Sequence, residues 1–199
     1  FTTADMGLRF QLGAQKTQTL QFDDIRVYLS QALTNRSYET NTDNRIVTVQ
    51  GGTFEAMTME GAPDGTGFGK ATIDKPGSSI SDASVLLARI SKNRKYNGAY
   101  RLNLTVRSSV APLNINAILS NMADGTGTDL PAVEPVTVTQ KNTWTGISFL
   151  LPPVPPEWSL QYPILYLGGQ GNVVLEFDNL FLYRTDESTP VPVSEWSLY

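Results

Sequence analysis

The stretch Tyr100-Arg101-Leu102-Asn103-Leu104-Thr105-Val106-Arg107 decides the fold class. Apolar and polar residues alternate strictly along it. An extended chain therefore puts Tyr100, Leu102, Leu104 and Val106 on one face and Arg101, Asn103, Thr105 and Arg107 on the other. Working outward, Val136-Thr-Val-Thr139 and Ile147-Ser-Phe149 alternate in the same way. Val173-Val-Leu-Glu-Phe-Asp178 and Leu180-Phe-Leu-Tyr183 have the β-branched and aromatic content of more deeply buried strands. Turn-forming clusters separate these runs at Gly61–Gly67, Lys92–Gly98 and Ala123–Asp129. Ser81 to Ile90 is the one stretch that could be helical, but Val85-Leu-Leu-Ala-Arg-Ile90 suits a strand equally well. Many short strands with Gly- and Pro-rich turns and no long helix predict an all-β sandwich or barrel.

Composition narrows the functional classes. The chain has 199 residues, 40% of them hydrophobic and 17% charged, with a net charge of −4. That acidic balance disfavours nucleic acid and anionic lipid as partners. No apolar run approaches the roughly 20 residues of a membrane helix, so membrane insertion is not expected. Cysteine and histidine are both absent. Disulfides, thiolate sites, His-ligated zinc and His-based catalytic triads are thereby excluded. Gly65-Thr-Gly-Phe-Gly-Lys70 imitates a phosphate loop but places Asp64 and Ala71 where that motif needs Gly and Ser or Thr.

An internal repeat organises the chain. Leu12-Gly13-Ala-Gln15 followed by Leu20-Gln-Phe22-Asp23-Asp-Ile-Arg-Val-Tyr28 matches Leu167-Gly168-Gly-Gln170 followed by Leu175-Glu-Phe177-Asp178-Asn-Leu-Phe-Leu-Tyr183, without a gap. Residues 1–30 thus read as the last strands of a preceding similar module or as an added edge-strand pair. Residues 31–185 read as one complete module, and 186–199 as a linker or tail. The first residue is Phe and no signal-peptide pattern follows, which reads as an excised or processed piece of a longer protein.

Four segments of the module carry a family resemblance. Thr53-Phe-Glu55, Asn97-Gly98-Ala-Tyr100 with its strand, Thr143-Trp144-Thr-Gly-Ile-Ser-Phe149 and Phe177-Asp178-Asn-Leu-Phe-Leu-Tyr183 occur in the order found in carbohydrate-binding modules of families four and nine. The chain resembles those modules over about residues 51–185. The resemblance implies an antiparallel jelly-roll β-sandwich that binds sugar chains without cleaving them, often with a structural calcium. It also implies that Glu55 and Asp178 help hold that ion, although Thr53 stands where the family usually has Gly. Asp178 serving instead as a turn cap is the alternative.

Sugars present apolar C–H faces, so a glycan surface needs exposed aromatic rings beside hydrogen-bonding side chains. Trp158 and Tyr162, with Glu157 and Gln161 as polar partners, are the candidates. They lie in the Pro-stiffened segment Leu151–Tyr162, expected to be a surface loop. The alternative for that segment is a hydrophobic lid over the sandwich. Tyr38, Tyr96 and Phe68 are weaker candidates, and Trp144 reads as a core residue. Glu176 and Asp178 share a strand face, but no further acidic motif supports a glycosidase. The expected protein is a non-catalytic polysaccharide-binding module of a tandem-module protein, acting through effective concentration at an extracellular or cell surface. The competing expectation is a structural or attachment component of a virion or surface appendage. There the apolar residues 1–30 would dock on neighbouring copies or modules.

Overall fold

A computed structural model describes Tyr38 and residues 47–90, 99–123 and 127–184. Along the chain run β1 (Thr48–Gln50), β2 (Gly52–Thr58), β3 (Gly67–Ile73), a 3₁₀ turn (Ile80–Asp82), β4 (Ser84–Leu86), β5 (Tyr100–Ser108) and β6 (Leu113–Ser120). They are followed by β7 (Asp129–Pro131), β8 (Val136–Val138), β9 (Thr145–Leu151), β10 (Tyr162–Tyr166) and β11 (Val173–Arg184). No α-helix occurs among the described residues. The repeat copy at Leu12–Tyr28, Asp23, Tyr96 and the tail lie outside the described residues.

The strands form two antiparallel sheets. One has five strands in the order β2-β3-β11-β5-β9; the other has six, in the order β1-β4-β10-β6-β7 with β8 also paired to β6. The alternation in β5 explains the layering. Leu102, Leu104 and Val106 point inward and are buried with Leu175, Phe177 and Leu182 of β11 and Phe149 and Leu151 of β9. Val85, Leu113, Ile115, Leu119 and Leu165 of the six-stranded sheet complete the same core. Each such large side chain contributes about 1.5–3 kcal/mol by leaving water. The expected jelly-roll sandwich is what forms.

Two local outcomes differ from the reading of the sequence. Ser81–Ile90 is not a helix, and of the strand read over Val85–Ile90 only the start forms, as part of β4 (Ser84–Leu86). Asp82 accepts hydrogen bonds from the Ser78 and Ser79 backbone N–H groups (2.7 and 2.8 Å) and from the Ser79 hydroxyl (2.8 Å), which closes one 3₁₀ turn. Buried β4 then follows, hydrogen-bonded on both sides by β1 and β10. The second outcome concerns the closing segment, read as two strands. It is a single strand, β11, interrupted by a bulge. Asp178 pairs with Thr105 and Phe181 with Asn103, so Asn179 and Leu180 together oppose Leu104. Asn179 takes a φ of +53°, a left-handed conformation that Asn tolerates better than most residues.

Candidate functional site

The segment nominated for sugar stacking folds inward. Trp158 is 6% exposed and belongs to the main core together with Val154, and its backbone N–H donates to the Pro155 carbonyl at 3.2 Å. Gln161 is fully buried, and its backbone bridges Ile90. Tyr162, 7% exposed, opens β10 and packs with Leu86, Ile118 and Ile164. Glu157 alone of the four is exposed. The expectation of exposed rings at Trp158 and Tyr162 is therefore corrected, because burying two large aromatic faces is worth more than displaying them. The segment caps the core, as the lid alternative described. Tyr38 and Phe68 are buried as well.

The other expected pair, Glu55 and Asp178, does not converge on an ion. Glu55 is exposed on β2 and forms an ion pair with Lys70 at 3.0 Å. Asp178 is fully buried on β11, two strands away. One of its oxygens accepts the Asp64 N–H at 2.9 Å and the other the Asn179 N–H at 2.6 Å. Calcium wants six to eight oxygen ligands gathered around one point. Among the described residues no group of three acidic side chains is so placed. These two carboxylates do not fit a shared calcium. Asp178 instead fixes the bulge and ties down the β2–β3 turn, which is the capping alternative.

The face of the five-stranded sheet that points away from the core carries a more promising arrangement. At one end, Glu55 pairs with Lys70 across the strands, Lys70 with Glu176, and Glu176 with Arg107. The last pair in this row of alternating charge, Arg107 with Glu176, is a direct ion pair. The Arg107 guanidinium lies 4.7 Å over the Trp144 ring and 5.9 Å from that of Phe68, and the two rings meet edge to face at 5.8 Å. One flank of Trp144 is thus already covered.

At the other end of this face the register sets Phe181 of β11, Asn103 of β5 and Ser148 of β9 side by side. Arg101 and Leu150 form the next row, and the Arg101 guanidinium donates to the Ser148 hydroxyl at 3.1 Å. Phe181, Asn103 and Arg101 are half-buried and Ser148 is exposed. With strands about 4.8 Å apart, the row spans roughly 10 Å. An aromatic face is bordered there by an amide, a hydroxyl and a guanidinium, the mixture that meets both the C–H and O–H surfaces of a sugar.

Sequence reading missed Phe181 for a definite reason. Plain alternation from Phe177 would carry Phe181 to the core side. The extra residue in the bulge reverses the parity, sending Leu180 and Leu182 inward and Phe181 outward. The signal available in the sequence was the pair Leu180 and Leu182 following the turn-prone Asp178-Asn179.

No family model matches the chain, and no curated protein matches it. Solved structures do. A family 4 carbohydrate-binding module superimposes with a TM-score of 0.55 at 14% identity, covering 77% of this chain and 100% of that one. A family 61 module solved with β-1,4-galactotriose gives 0.51 at 17% identity, over 77% and 97% of the two chains. The first family 22 xylan-binding domain of Xyn10C from Paenibacillus barcinonensis gives 0.52 at 15% identity, over 75% and 91%. Together these likenesses show that the chain has the jelly-roll β-sandwich fold on which such modules are built.

Proposed function

We propose that this protein is a non-catalytic carbohydrate-binding module that holds a polysaccharide against the outer face of its five-stranded sheet. The observation that carries the reading is the row Phe181–Asn103–Ser148 with Arg101 beside it, an aromatic surface framed by sugar-type hydrogen-bonding groups. The fold likeness to modules whose solved forms bind galactotriose and xylan supports the ligand class. The motif order shared with families four and nine supports the same class. Glu176 is engaged by Arg107, and Asp178 by two backbone N–H groups, so neither carboxylate is arranged as an acid or base beside this patch. A task of tethering a partner to polysaccharide outside the cell accords with this chemistry.

The test is affinity electrophoresis and calorimetry with xylan, β-1,4-galactan and mixed β-glucans. Phe181→Ala is expected to weaken binding about tenfold or more, the equivalent of roughly 1.4 kcal/mol, with an unchanged circular-dichroism spectrum. Full affinity in Phe181→Ala and Asn103→Ala would remove the site. Failure of the unaltered protein to bind any polysaccharide would remove the function.

A further inference from the structure

One cation on the outer face of the five-stranded sheet lacks a counter-charge. Among the described residues, the strands of that sheet set three cationic side chains on this face: Lys70 of β3, and Arg107 and Arg101 of β5. Lys70 is paired with Glu55 at 3.0 Å and Arg107 with Glu176. Arg101 forms no ion pair with any described residue. Its neighbours on this face are Leu150 and, one row along, Asn103, Ser148 and Phe181, none of them acidic. Glu176 stands opposite Arg107, about 20 Å away along β5. Glu134 follows Val133, whose N–H donates to the Leu150 carbonyl at the β9 edge, yet it too leaves Arg101 unpaired.

Arg101 is half-buried, so part of its hydration is lost with no carboxylate to replace it. The fold also holds it in place. Its Nη1 donates to the Ser148 hydroxyl at 3.1 Å, which leaves the Nε and Nη2 edge without an acceptor among the described residues. Two N–H groups side by side in one plane match the two oxygens of a carboxylate, which a single sugar hydroxyl does not. Taking this face as the glycan site, we infer that Arg101 makes it selective for acidic polysaccharides by binding the carboxylate of a uronic acid. Asn103, opposite Phe181, lies two residues or about 7 Å along β5 from Arg101. A sugar ring resting on Phe181 therefore brings a carboxylate on itself or on the adjoining ring up to the guanidinium. The chain's net charge of −4 gives a polyanion no general attraction, and charges beyond about 8 Å are largely screened at physiological ionic strength. A preference for uronates must then come from a local contact.

Calorimetry of the full chain at about 0.15 M salt tests this, with glucuronoxylan, polygalacturonate and alginate each set against its carboxyl-reduced form. Reduction turns each uronic acid into the neutral sugar of the same linkage, so only the carboxylate changes. The unaltered protein is expected to bind at least one acidic polysaccharide about tenfold or more tightly than its reduced partner, the equivalent of roughly 1.4 kcal/mol. Arg101→Gln should bring that ratio close to one. Arg101→Lys, which keeps the charge without the planar fork, should lower it in part. Equal affinity for acidic and reduced forms, with Phe181-dependent binding of both, would overturn the selectivity and leave the binding module standing; this comparison needs no variant at Arg101 to fold. A preference that Arg101→Gln leaves whole would overturn it as well. So would a sulfated polysaccharide bound as tightly as the uronates, which would assign the face to polyanions in general. Failure to bind any polysaccharide, acidic or neutral, would remove the selectivity and the function together.

Discussion

Asp178 shows how one side chain can serve structure while looking like a ligand. Its carboxylate satisfies two backbone donors, one inside the bulge and one in a turn far away in sequence. Replacing it with Ala would leave both N–H groups without this acceptor, at about 1–3 kcal/mol each if they stay buried. Asp178→Ala is therefore expected to lower stability by roughly 2–4 kcal/mol in urea denaturation. Chelators should not reproduce that loss in the unaltered protein if, as the donor geometry implies, Asp178 holds no calcium. Gly69 is a second constrained position. A Cβ there would meet the Phe177 ring at 2.8 Å and the Tyr38 ring at 2.9 Å. Gly69→Ala is expected to cost about 1–3 kcal/mol through overpacking, read as a lower urea midpoint at unchanged slope.

At the scale of elements, the 3₁₀ turn before β4 gives a pH signature. Hydrogen bonds from the backbone and hydroxyl of Ser79 and the backbone of Ser78 lower the Asp82 carboxyl from 3.8 to about 2. The folded state thus favours the ionised form. Its contribution is complete above the unfolded value and is lost as pH falls through about 2. Asp82→Ala should lower Tm at pH 7, and the difference from the unaltered protein should shrink between about pH 4 and pH 2. A difference that is constant across that range would show that the cap does not depend on the charge. Tyr166 behaves oppositely: burial, and then its 2.7 Å hydrogen bond to Asp129, push the phenol above its ordinary range. It should ionise at the late, alkaline end of an absorbance titration, and Tyr166→Phe should remove that late step.

At the scale of the whole molecule, core and glycan face can be separated by substitution. Trp158 and Val154 fill the main core from the loop between β9 and β10. Trp158→Ala is expected to destabilise by about 3–5 kcal/mol while leaving polysaccharide affinity of the folded protein unchanged. Phe181→Ala should show the reverse pattern. Loss of affinity in folded Trp158→Ala would return the binding site to the loop.

The sequence by itself determined the all-β class and the inward faces of β5 and β9, because those depend on a two-residue period that any extended chain displays; that period left sandwich and barrel open, and the sandwich was legible only through the family resemblance. It also determined that histidine and cysteine chemistry is excluded, since composition is independent of folding. Tertiary structure alone decided which aromatic rings meet solvent. Trp158 sits in a Pro-rich loop like a surface residue, yet core volume claims it. Phe181 lies in an apolar run like a core residue, yet one inserted residue turns it outward. Exposure depends on what packs against a side chain from distant parts of the chain, and a bulge changes the parity by which a strand's faces are read.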